Sequence, residues 1–118
     1  MNSTYKLIHI LKHSDSGEKI KAACELLPTI EIDDDLLQII LETRNEIVIR
    51  LMLEYSLVSR IKPEQLSYFV PTEPTRMARS FSRNLARILF DYNYLFGEDE
   101  VSQHYFRLIM QNDMMHGH

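Results

Sequence analysis

The chain has 118 residues, a net charge of −4, 45% apolar and 25% charged residues, one cysteine and three glycines. That length is one domain by the usual size rule and buries a core without metals or cross-links. The acidity argues against a generic nucleic-acid binder, the lone Cys24 excludes an internal disulfide, and so few glycines disfavour a strand-rich fold.

The first predicted helix is Ser3–His13, capped by Ser3 or Thr4, and the second is Ser16–Leu27, capped by Ser14 or Asp15. Ile20, Ala23, Cys24 and Leu27 recur at i, i+3, i+4, i+7, which puts them on one inward face. Pro28 then stops the chain. The cluster Glu31, Asp33, Asp34, Asp35 has neither the turn glycine nor the distal glutamate of a calcium loop, so it reads as cap and charge complement for a helix Asp34–Glu42. Asn45 opens the next, Asn45–Arg60. Pro63–Phe69 is a short helix with proline in its first turn, Pro71 stops it, and Pro74–Leu95 is the longest. Gly97 closes that segment, Glu98, Asp99 and Glu100 follow, and a last helix runs over Val101–Asn112 with Val101, Tyr105, Leu108 and Ile109 inward. The expected domain is 1–113, with a flexible tail at 114–118. No leader pattern is visible and no apolar run suffices to span a bilayer, so a cytoplasmic setting without membrane is expected.

A shift of 29 residues superimposes Leu7, Ile8, Ile10 and Leu11 on Leu36, Leu37, Ile39 and Ile40, then on Gln65, Leu66, Tyr68 and Phe69. In the second helix of each pair, Ala23 and Cys24 fall on Met52 and Leu53, then on Phe81 and Ser82, and the basic Lys21 falls on Arg50 and Arg79. A helix pair cannot bury its apolar face alone, whereas stacked pairs share a continuous core. The segments LKHSDSGEKIKAACELL (Leu11–Leu27) and LETRNEIVIRLMLEYSL (Leu41–Leu57) resemble HEAT-type repeats, over about residues 5–90. The second and third units depart from the small residues that follow the basic position. The resemblance implies an all-α, right-handed stack of about three helical hairpins with a C-terminal capping helix, used as a binding scaffold. The alternative is a compact bundle of six or seven helices.

The segment PTRMARSFSRNLARILFDY carries the candidate site. Between Pro74 and Phe90 there are four arginines and no acid, while residues 1–73 hold eight bases and twelve acids and residues 91–118 one base and five acids. On a helix, Arg76, Arg79, Arg83 and Arg87 lie within about 80° of one another along about 16 Å. Met77, Ala78, Phe81, Leu85, Ile88, Leu89 and Tyr92 are expected opposite, so the guanidinium groups would point outward together. Their planar forks suit carboxylates and phosphates. Ser80, Asn84 and Tyr94 flank them. The same strip also reads as a solvated face, or as a partner for Glu42, Glu46, Glu54 and Glu73.

His9 and His13 share a helix face but lack a third ligand, Cys24 reads as a small buried residue, and neither a phosphate-binding glycine loop nor a nucleophile elbow is present. The expectation is therefore a non-catalytic protein–protein interaction module without cofactor or metal. It would bind an acidic surface of a protein partner through Arg76, Arg79, Arg83 and Arg87. Nucleic-acid binding through the same helix is the alternative, with Tyr92, Tyr94 and Phe96 the available stacking rings. Homo-oligomerisation, acidic cluster against arginine strip, is a third.

Overall fold

A computed structural model describes residues 2–116. It is all-α: the described residues contain no strand. Six α-helices, α1 (Ser3–His13), α2 (Ser16–Leu26), α3 (Asp34–Glu42), α4 (Glu46–Leu53), α5 (Arg76–Asp91) and α6 (Glu100–His116), are joined with short 3-10 turns at Leu27–Thr29, Val58–Arg60 and Pro63–Phe69. Contacts divide the chain into two compact units, Met1–Leu57 and Val58–His118.

In the first unit α1 packs on α2 and α3, α2 on α4, and α3 on α4. Side chains fix where these helices begin. Asn2 caps α1 through the Thr4 N–H, in place of the expected Ser3 or Thr4; Asp15 caps α2 and Asp33 caps α3, accepting the Glu18 and Leu36 N–H groups at 2.9 and 2.8 Å. Asn45 caps α4 by accepting from both Ile47 and Val48 at 3.1 Å, while its amide donates to Ser16 Oγ at 3.1 Å. Arg44, just before that cap, adopts the left-handed conformation (φ 48°) and terminates α3, and burial lowers its guanidinium pKa. The core comprises Leu7, Leu11, Leu36, Leu37, Ile40, Leu41, Val48, Ile49 and Met52, with Ala22 and Ala23 letting α2 approach closely.

In the second unit the Pro63–Phe69 turn, α5 and α6 pack on one another. Thr75 caps α5 and Asp99 caps α6, the latter accepting the Ser102 N–H at 2.9 Å. Leu66, Phe69, Leu85, Ile88, Leu89 and Ile109 are buried. Phe96 lies among Phe90, Tyr94 and Phe106, with ring centroids at 6.1, 5.0 and 4.9 Å. The Tyr94 hydroxyl donates to Ile61 O at 3.0 Å, and burial, then Asp99 and Glu64, raises its pKa.

Several expectations need correction. The helix expected over Asn45–Arg60 ends at Leu53, because Glu54 and Tyr55 bond back to carbonyls three residues earlier and wind the helix out. The helix expected over Pro74–Leu95 is Arg76–Asp91. Its end is a Schellman turn: Asn93 takes φ 59°, with Tyr94 N–H bonded to Leu89 O and Asn93 N–H to Phe90 O. The last helix starts at Glu100 and continues through His116, since no proline or glycine intervenes before Gly117; of the expected tail, 114–116 are therefore helical and 117–118 lie outside the described residues. Cys24 is exposed, not inward, and Met77 (83% exposed), Phe81 (47%) and Val101 (40%) are also outside.

One cause accounts for two of these side chains, Cys24 and Phe81. Asp15, Asn45 and Thr75, the caps of α2, α4 and α5, are thirty residues apart. The buried positions of the preceding segments, Leu7, Leu36 and Gln65, keep the spacing of 29. Applying 29 to the second helices therefore rotates them by one residue, about 100°. A shift of thirty aligns Ala22, Met52 and Ser82, all buried, and moves Cys24 and Phe81 to the outside.

Candidate partner-binding site

Of the four arginines on α5, Arg76 and Arg87 point away from its buried face as expected, but Arg79 and Arg83 lie along the margin of that face. Ser82, Leu85, Ala86 and Leu89 face inward and α6 packs along that side. The two central arginines therefore lean toward α6 and its neighbourhood. Arg83 is half-buried and its Nε donates to Asp113 Oδ1 at 3.1 Å. Arg79 is half-buried too, and its Nη1 donates to Pro74 O at 3.4 Å. Arg76 and Arg87, at the two ends, are exposed.

Of the acids first considered as partners, Glu73 lines the same cleft as Arg79, and two others have partners on their own helices. Glu46 pairs with Arg50 at 3.5 Å and Glu42 accepts from Gln38 at 2.9 Å. Arg83 takes its carboxylate from α6, thirty positions along the chain, a partner that helical periodicity does not reveal.

Two clefts flank the α5–α6 seam. The first, about 300 Å³, is lined by Ala86, Phe90, Ile109 and Met110 with Arg83, Arg87 and Asp113 at their side. The small Ala86 leaves this space between the larger side chains of the two helices. The second, about 370 Å³, lies among the 70–74 segment, Arg79, Leu108 and Asn112. Asn112 is buried and its amide donates to Arg79 O at 2.9 Å, tying α6 to the middle of the strip.

The other sequence candidates form no comparable assembly. His9 and His13 lie with ring centroids 4.8 Å apart and planes tilted by 47°, both exposed, and among the described residues no group of three histidines, cysteines or acids gathers as a metal site would require. Of the acidic cluster, Asp33 is the α3 cap and Asp34 and Asp35 occupy its first turn, where negative charge favours the helix dipole. Tyr94 and Phe96 are engaged in the aromatic cluster. Among the described residues no helix is long and apolar enough to cross a membrane.

Fold and site together define an all-α chain with a basic helix bordering an apolar cleft. It matches no family model, no curated protein and no solved structure.

Proposed function

We propose that this chain is a non-catalytic protein–protein interaction module that binds an acidic partner surface through Arg76, Arg79, Arg83 and Arg87. The observation that carries this reading is the Arg83–Asp113 pair: the strip already holds a carboxylate, beside an apolar cleft, with exposed arginines at both ends. Arginine and aromatic anchors at the edge of an apolar depression are the usual centres of protein interfaces. Nucleic-acid binding remains the rival, and the engagement of Arg79 and Arg83 by groups of the protein itself favours the protein partner. Cytoplasmic residence goes with this reading, because an exposed thiol such as Cys24 persists in a reducing compartment.

We further propose that the first unit is a pair of stacked HEAT-like hairpins serving as scaffold. In support, α1 lies beside α3 and α2 beside α4, Ser16 and Asn45 bond at the shared edge, and Leu7 and Leu11 have buried counterparts in Leu36 and Ile40.

The test is affinity capture from source-cell lysate, with and without nuclease, using the intact protein and an Arg76→Glu, Arg87→Glu variant. Both positions are exposed, so folding is untouched, as circular dichroism would verify. One stoichiometric protein, insensitive to nuclease and lost with the variant, is the expected result. Retention that disappears with nuclease moves the assignment to nucleic acid; retention indifferent to the variant removes the strip from function. A size that changes on dilution would mark self-association instead.

A further inference from the structure

Resting on that reading, we infer that the cleft beside the Arg83–Asp113 pair is its anchor site, and that the occupant is a short acidic segment of a partner protein. This segment carries one large apolar side chain about a helical turn from a carboxylate. The apolar group seats among Ala86, Phe90, Ile109 and Met110, and the carboxylate takes the place of Asp113 on Arg83.

Size, composition and charge converge on this ligand. A volume of about 300 Å³ is at the lower end for ligand cavities and suits one inserted side chain better than a cofactor. Phe90 is 45% exposed although its neighbours Leu89 and Ile88 are fully buried, so a large aromatic edge is available to an incoming group. Arg83 and Arg87 stand at the same cleft and supply positive charge. A purely apolar ligand would leave these cations without benefit, and a bare phosphate would leave the apolar lining wet. A segment with both features satisfies both.

Asp113 acts as the chain's own stand-in for the partner's carboxylate. It reaches Arg83 through Nε alone, whereas a carboxylate approaching the guanidinium side-on takes two N–H bonds. With side-chain exposures of 28% for Arg83 and 53% for Asp113, the internal pair is well solvated and weakly held. Displacing it costs little, and removing it relieves the competition.

The experiment is selection of a random twelve-residue peptide library on the intact protein, followed by fluorescence anisotropy of the synthesised winners. Winners are expected to share Leu, Met or Phe three or four residues from Asp or Glu. Arg83→Gln and Phe90→Ala are expected to weaken them about tenfold or more. Asp113→Ala is expected to tighten them about twofold to fivefold, a gain that misfolding cannot imitate. Failure to select any peptide, or winners indifferent to Asp113→Ala and Phe90→Ala, overturns the inference. Acidic winners without an apolar residue, weakened by Arg76→Glu, Arg87→Glu but not by Phe90→Ala, overturn the cleft and leave the interaction module standing. Winners that depend on none of the four arginines overturn both.

Discussion

Replacing Asn45 by alanine tests how the first unit is held together. Asn45 Oδ1 accepts two N–H groups of the α4 first turn, and its Nδ2 donates to Ser16 Oγ at the start of α2. Loss of a good cap costs about 1 kcal/mol, within a range of about 0.5–2. The cross-helix bond is exposed, so it adds about 0.5 kcal/mol, the low end for a net hydrogen bond. Asn45→Ala should therefore destabilise by about 1.5 kcal/mol, a large share of a total of about 5–15. Asn45→Asp keeps the acceptor and adds a charge favourable at a helix N-terminus, which offsets the lost donor; it should stay within about 0.5 kcal/mol of the parent. Urea unfolding followed by far-ultraviolet circular dichroism measures both, with the slope unchanged. An alanine variant as stable as the parent, or an aspartate variant as costly as alanine, would show that the α4 start does not depend on this side chain.

Cys24, exposed on α2, should react in the folded state with an aromatic disulfide reagent at a rate within about tenfold of a small free thiol. A rate that tracks global unfolding would instead place it inside. Asp99 accepts the Ser102 N–H, which holds its carboxyl below the usual range. A depressed folded pKa means that the stabilisation is present above the unfolded value, about 3.9, and is lost as pH falls through the lower folded one. Asp99→Asn should therefore lower stability at pH 6, and the difference should shrink as pH falls below the unfolded value; a difference independent of pH would contradict the assignment.

What could be read from the sequence was local. The bounds Ser3–His13 and Asp34–Glu42 follow from polar caps and a clean apolar period, both properties of a few consecutive residues. The rotation of α2 and α5 was harder, because the spacing of 29 that governs the first helices of the pairs does not govern the second. Recognising Asp15, Asn45 and Thr75 as equivalent caps would have given thirty and put Cys24 and Phe81 outside. Asn93 likewise carried a stop signal that Gly97 overshadowed, since asparagine is the other residue that tolerates the left-handed turn. No local pattern announced the cleft. Ala86 and Phe90 share its lining with Ile109 and Met110 only because α6 returns along α5.

That return also bears on the choice between protein and nucleic acid. Four arginines over about 16 Å look sufficient to track several phosphates. With Arg79 engaged by Pro74 O and Arg83 by Asp113, two exposed guanidinium groups, Arg76 and Arg87, remain as the readiest contacts. Two phosphate contacts give a slope of about −1.8 in log K against log salt for duplex DNA, and all four give about −3.6. On a chain of net charge −4, the shallower slope corresponds to little affinity at physiological salt. Titrating a duplex oligonucleotide between 50 and 200 mM salt, about the range over which counterion release is usually resolved, reads this directly. No binding, or a slope near −2, agrees with arginines positioned for a protein's carboxylates. A slope of −3.6 or steeper would mean that Arg79 and Arg83 leave their internal acceptors for phosphate, and the helix would then be a nucleic-acid contact.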